Sequence, residues 1–141
     1  YRIYNKWDKV IEKLLINDKN LKVVILGSDN AKISAKKIMD QFSHDNVLDC
    51  VAKFTFNQTS QIIKQAQILL CCDGGLMHSA NAVNTPIVAL FAKLTAQMQL
   101  TESICAFSLY DMNNVNNISV QQILQKYNEA TNFVRSHPQV E

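Results

Sequence analysis

An aspartate, two glycines and a histidine within six residues, Asp73-Gly74-Gly75-Leu76-Met77-His78, form the segment of this sequence best suited to chemistry. They follow a short apolar run, Ile68–Cys72 (ILLCC), and lead into a helical pattern. A helix that starts directly after a strand has backbone N–H groups without intrahelical acceptors, and an anion placed there satisfies them. Glycine at that start lets a phosphate approach the backbone because no Cβ intervenes. His78 lies about one helical turn further on, so its imidazole can donate to the same anion. A structural reading competes with this one. Gly-Gly also makes a tight strand-to-helix turn, Asp73 can serve as a helix cap, and a lone histidine is more often satisfied inside a fold than bound to a ligand. The dinucleotide fingerprint G-x-G-x-x-G is absent.

Two further segments follow apolar runs in the same way: Gly27-Ser28-Asp29-Asn30 after KVVIL, and Ala92-Lys93-Leu94-Thr95 after IVALF. Lys53 and Thr55 stand between another such run and a helix; on position alone, Lys53 is a solvated loop lysine and Thr55 a turn or cap residue. His44 and His137 lie in polar segments, no nucleophilic triad is visible, and no carboxylate pair forms an acid/base couple.

The elements that must position these residues follow from apolar spacing. Trp7, Val10, Ile11, Leu14 and Leu15 recur at helical intervals and predict a helix over 6–17, broken by Asn17, Asp18 and Asn20. KVVIL at 22–26 predicts a strand covered on both faces, since its apolar character is continuous. Ile33, Ile38, Met39 and Phe42 predict a helix over 31–43. A strand over 47–51, a helix over 58–66, a buried strand over 68–72, a helix from Gly75 to Val83 and a strand over 87–91 follow. A short strand over 104–107, a polar loop at Asn113–Asn117, a helix over 119–134 and a frayed tail from Ser136 complete the chain. This alternation implies an α/β Rossmann-like, three-layer domain with a parallel sheet, right-handed crossovers and helices on both faces. Ligands bind such sheets beyond the carboxyl ends of the strands, where all three glycine- and lysine-bearing segments fall.

Composition narrows the class. The 141 residues fit one domain spanning 1–141. The net charge is +2, with eleven Lys/Arg against seven Asp/Glu in residues 1–70 and three against five thereafter. That pattern allows steering of an anion to the first half, but it makes no basic stripe for nucleic acid. Three of the four cysteines (Cys50, Cys71, Cys72, Cys105) sit in apolar runs, and no CxxC pair suggests a metal or redox site. Adjacent Cys71 and Cys72 point to opposite faces of a strand. The expectation is reduced thiols in a cytoplasmic protein. No run approaches the roughly 20 apolar residues of a membrane span, and no signal peptide is visible. The helical pattern begins within a few residues of Tyr1, so the chain is expected to be a piece of something longer.

The segment from Asp73 to Phe91 resembles the family of ADP-heptose:lipopolysaccharide heptosyltransferases. That family carries D-S/T-G-x-x-H-x-A-x-A, a small gap, then P-x-V-A-L-F/Y-G. Asp73, Gly75, His78, Ala80, Ala82, Pro86, Val88, Ala89, Leu90 and Phe91 fall in register. Upstream, Lys53 and Thr55 in Ala52-Lys53-Phe54-Thr55-Phe56 match its G-K-x-S/T-L turn. Val23 to Gly27-Ser28 looks like its V-x-L-x-G-G/S strand end, and Lys6-Trp7 like its K/R-W-P helix start.

The resemblance implies the C-terminal half of a GT-B glycosyltransferase. Such a half binds a nucleotide-diphospho-sugar, while an N-terminal domain brings the lipopolysaccharide core acceptor and the catalytic carboxylate. The fragment alone is then expected to be inactive, with no catalytic residue of its own, no metal and no cofactor. It is expected in the cytoplasm or peripherally at the inner membrane. Gly74, Gly75 and His78 would hold the diphosphate with Lys53 and Thr55, Asp73 would orient the turn or contact the donor, and Met77, Gly27 and Ser28 would lie near the nucleoside. Several positions depart from the pattern. Gly74 replaces Ser/Thr, Asp8 replaces Pro, Asn5 stands for a phosphate-contacting Lys, Ala31 for a ribose-binding Glu, and Ala92-Lys93 for Gly-Pro. They leave open the base and sugar of the donor. A noncatalytic, degenerate nucleotide-binding or structural module is the alternative. A receiver or flavodoxin-like domain needs acidic residues at early strand ends, which KVVILGS lacks.

Overall fold

The computed structural model describes residues 3–93 and 106–136. Within the span expected as one domain, the chain gathers into two compact units: residues 5–59, and residues 1–4 with 60–141.

In the first unit, Trp7–Asn17 forms α1 and buries Val10, Ile11 and Leu14 at the predicted spacing. The helix stops at Asp18, whose backbone is extended and whose Oδ1 accepts from the Asn20 N–H. Val23–Ile25 forms β1 and Val47–Asp49 forms β2, paired in parallel with Val23 opposite Val47 and Val24 opposite Leu48. Lys32–Met39 forms α2 after a 3-10 turn at Asp29–Ala31. Ile11, Ile38 and Val47 are the heart of this unit, with Trp7, Leu15, Val23, Ile25, Met39 and Phe42 packed against them. The Asn46 amide ties the start of β2 to the α1–β1 connection by donating to the Lys19 and Leu21 carbonyls.

Two expectations are corrected in this unit. β1 is covered on one face only: Val23 and Ile25 pack on the helices, whereas Val24 and its partner Leu48 remain 40% and 56% exposed. Successive strand side chains alternate between faces, so a continuous apolar run does not guarantee two covered faces. Ile33 is 87% exposed rather than on the buried face of α2, which is made by Ala35 and Ile38.

β1 and β2 stay joined past their ends, where the Cys50 N–H donates to the Ile25 carbonyl and the Ala52 N–H to the Gly27 carbonyl. Ala52 sits at φ 57, a left-handed conformation that costs an L-residue about 1–2 kcal/mol and glycine almost nothing. Ala52→Gly is therefore expected to stabilise the chain by about 1 kcal/mol, read as a higher midpoint in urea unfolding. A lower midpoint would show that the turn is unstrained.

In the second unit, Leu69–Cys72 (β3), Ile87–Ala92 (β4) and Ala106–Asp111 (β5) form a parallel sheet in the order β3-β4-β5. All six residues of β4 are buried, as its unbroken apolar run predicts. The strand expected over 104–107 is found from Ala106 onward; Ile104 and Cys105 lie outside the described residues. Phe56–Gln65 forms α3, most of which belongs to this unit, Gly75–Ala82 forms α4 and Val120–Ser136 forms α5. Phe107 on β5 meets Phe133 on α5 edge to face, with ring centroids 5.8 Å apart. Tyr4 is buried, and its hydroxyl donates to the Ile118 carbonyl just before α5. The tail after Ser136 lies outside the described residues.

Candidate functional site

The β3–α4 junction is held by β4 and, among the described residues, is open at its two glycines. The Asp73 N–H donates to the Leu90 carbonyl, which fixes the end of β3 beside β4. Gly74 occupies the N-cap position in an extended conformation, and α4 starts at Gly75. A Cβ built on either glycine meets no atom within 4 Å. Among the described residues, neither glycine is therefore required by packing, and the Cβ positions over their backbone are free of protein atoms. Asp73 is half-buried and stands one residue before the N-cap.

Beyond the glycines, α4 divides its side chains between two directions. Met77, Ser79 and Ala80 are buried, and His78 between them is exposed. The imidazole thus lies on the solvent side, one turn from the open junction. Met77 is 0% exposed and fills the interior. It precedes His78 by one residue and is rotated about 100° away.

The other sequence-predicted residues belong to the unit of residues 5–59, at the carboxyl ends of β1 and β2. Gly27 has φ +158, and a Cβ on it would stand 2.8 Å from the Ala31 Cβ. Ser28 is exposed, and its hydroxyl donates to the Asn30 side-chain oxygen at 2.8 Å. Asp29 pairs with Lys32 at 3.0 Å. Lys53 is exposed. Thr55 proves to be a helix cap: its Oγ1 accepts from the Gln58 N–H, and the Gln58 amide oxygen accepts from the Thr55 N–H. This reciprocal pair is the capping box that T-x-x-Q encodes, and Ser119 with Gln122 repeats it at α5. The spacing of hydroxyl and glutamine in the sequence carries that signal.

The structure therefore groups Asp73, Gly74, Gly75 and His78 at one junction, and Gly27, Ser28, Lys53 and Thr55 at the strand ends of the other unit. At the third segment, Ala92 ends β4 buried and Lys93 is exposed at φ 68, while Leu94 and Thr95 lie outside the described residues. His44 is exposed, and His137 lies outside the described residues. Among the described residues, no group of three or more His, Cys, Asp or Glu side chains could hold a metal ion. Cys50 and Cys71 are in no disulfide. Burial, helped by Cys72 and Asp73, pushes the Cys71 thiol far above its usual range, so it stays protonated and unreactive.

Asp111, at the end of β5, was not singled out from the sequence. Its Oδ2 accepts from the Asn113 and Asn114 N–H groups and from the Asn117 side-chain amide. The signal available was Asp111 with Asn113 and Asn114 two and three residues on, the composition of an Asx turn. The Asn114 backbone, the Asn117 side chain and the Asn113 backbone hold its carboxyl below the usual carboxylate range. A depressed folded-state pKa gives stability that is present above the unfolded value and lost as pH falls through the folded one. The Asn117 side-chain amide resonances are thus expected to hold steady on acidification until below the ordinary carboxylate range. Movement at mildly acidic pH would contradict this.

The sequence model of glycosyltransferase family 9 (heptosyltransferase) matches residues 3–128. The chain belongs to glycosyltransferase family 9. No curated protein matches this family-9 chain at a significant level. Among solved structures, it is similar to ADP-heptose lipopolysaccharide heptosyltransferase II of E. coli, with TM-score 0.81 and 19% identity over 95% of this chain and 43% of that one. A family-9 glycosyl transferase from Veillonella parvula gives TM-score 0.78 and 16% identity over 89% of this chain and 40% of that one. E. coli heptosyltransferase WaaC with ADP gives 0.75 and 15% over 94% of this chain and 40% of that one. The α/β fold with parallel sheets is thus that of the GT-B heptosyltransferases. The family-9 chain spans 40% to 43% of the length of these structures. Among its described residues, no helix is long and apolar enough to cross a membrane.

Proposed function

We propose that this chain is the donor-binding part of a glycosyltransferase and holds a nucleotide-diphospho-sugar, ADP-heptose, for assembly of the lipopolysaccharide core. The observation that carries the reading is the open β3–α4 junction, where Gly74 and Gly75 leave free space over the backbone and His78 is exposed one turn away. Family membership and the ADP named with the similar WaaC structure support it.

In this reading the acceptor hydroxyl attacks the anomeric carbon of the donor, the bond from that carbon to the diphosphate oxygen breaks, and the nucleoside diphosphate leaves. Negative charge grows on the diphosphate as that bond breaks. Amides at the start of α4 and the His78 imidazole oppose that charge and lower the barrier. The acceptor and the base that takes its proton come from a further domain, so the chain by itself binds donor without turning it over. The enzyme works in the cytoplasm, at the inner face of the membrane where its acceptor lies.

Calorimetric titration with ADP, UDP and their sugars tests this. ADP is expected to bind, and His78→Ala to weaken it about fivefold, the value of one ordinary hydrogen bond. Equal affinity in the variant would remove the imidazole from the site. Ala31 favours a second reading, because no carboxylate stands there for a ribose and its methyl lies against Gly27. Failure of every nucleotide to bind would support that reading, a family-9 fold kept as a structural module.

A further inference from the structure

Two small hydroxyl side chains, Ser79 and Thr85, are buried in the unit that carries β3–β5. Both are satisfied by α3. The Ser79 and Ser60 hydroxyl oxygens lie 2.6 Å apart, and the Thr85 hydroxyl donates to the Ile63 carbonyl at 2.8 Å. Ser60 and Ile63 are three residues apart and share one side of α3. α3 therefore grips the β3–α4–β4 crossover at two points, one on α4 itself and one just beyond its end.

The grip on α4 is the informative one. Ser79 follows His78 directly and is only 7% exposed, whereas His78 is exposed. α4 has only eight residues and a glycine at its N-cap, and its first-turn bond from the His78 N–H to the Gly74 carbonyl is 3.4 Å long. That distance lies beyond the usual range for a backbone hydrogen bond, so the backbone alone holds the imidazole-bearing turn loosely. Burial of Met77 and Ala80 keeps α4 against the interior, but apolar packing is non-directional. A hydroxyl pair is directional and resists rotation of a short helix about its own axis.

We propose that the Ser60–Ser79 hydroxyl pair is a positioning device for His78. It fixes the rotation of α4 and so aims the imidazole at the diphosphate of a bound nucleotide. The proposal rests on the donor reading given above. Ser60 and Ser79 touch no donor in it and act through His78 alone.

The test compares Ser60→Ala, Ser79→Ala, the double alanine variant and Thr85→Val, by urea unfolding and by calorimetric titration with ADP. Each single alanine leaves its partner hydroxyl without its bond and lowers stability, whereas removing both partners largely restores it. Affinity is expected to behave differently. The double variant binds ADP between about twofold and fivefold more weakly despite its recovered stability, because nothing then sets the rotation of α4. Thr85→Val lowers stability and leaves ADP affinity unchanged. In a His78→Ala background the two serine substitutions cost no further affinity. Wild-type affinity in the double variant, or an undiminished loss when His78 is already alanine, overturns the proposal.

If the unmodified chain binds no ADP, the donor reading fails separately, and the ring resonances of His78, assigned by difference from His78→Ala, decide the positioning claim. Displacement of those resonances in the double alanine variant upholds it, and their identity with wild type overturns it.

Discussion

Alanine at Gly74 or Gly75 is expected to leave the chain at least as stable as before while weakening ADP binding about tenfold or more. The stability half follows from space and backbone. A Cβ at either position meets nothing within 4 Å. Gly74 has φ 165, an extended conformation open to any residue, and Gly75 is the first residue of α4. Exchanging glycine for alanine at a compatible position removes freedom from the unfolded chain and stabilises by about 0.4–1 kcal/mol. The binding half follows from the same space. If a diphosphate seats against these amides, the new methyl group stands where a phosphate oxygen must come. A thermal melt and a titration with ADP on the same samples give both halves. A tight turn with no ligand would show no change in any affinity, and unaltered ADP binding in both variants would remove the diphosphate from this junction.

Gly27→Ala is expected to do the opposite and cost about 1–3 kcal/mol of stability, the range for overpacking a filled position. Its Cβ would lie 2.8 Å from the Ala31 Cβ and 3.9 Å from Val51. Ala31 has no flexible end to swing away, so backbone must shift. The Gly27 carbonyl also accepts from the Ala52 N–H, so that shift strains the link between the ends of β1 and β2. Ala31→Gly in the same chain should recover much of the loss, since the two methyl groups clash with each other and the effects of contacting residues are not additive. An unchanged urea midpoint for Gly27→Ala would show that the turn yields freely. The expected results separate the three glycines: a loss of stability at Gly27, and a loss of ADP affinity at Gly74 and Gly75.

Element order and type could be read from spacing because burial is periodic. Trp7 to Leu14 marks α1, and the unbroken run Ile87–Phe91 marks the buried β4. Direction was harder to read. Ile33 and Ile38 are five residues apart, which on a helix is a rotation of about 140°, so they cannot share a narrow buried face. Met77 and His78 show the same limit inside the motif: register in a pattern gives position along the chain, and only the packed helix decides which neighbour turns inward. The bare side of β1 escaped notice because Val24 is as apolar as Val23. At Thr55 the hydroxyl with Gln58 three residues on already favours a cap over a donor contact.

The enclosure of β4 gives these variants a common yardstick. It pairs with a neighbour on each edge and buries every side chain from Ile87 to Ala92. Its amide hydrogens can then trade with deuterium only when this unit opens as a whole, not through local fraying. The exchange rate at Ala89 and Leu90 therefore reports the opening free energy of the unit directly, and a substitution that changes ligand affinity without changing that rate has acted on the site and not on the scaffold.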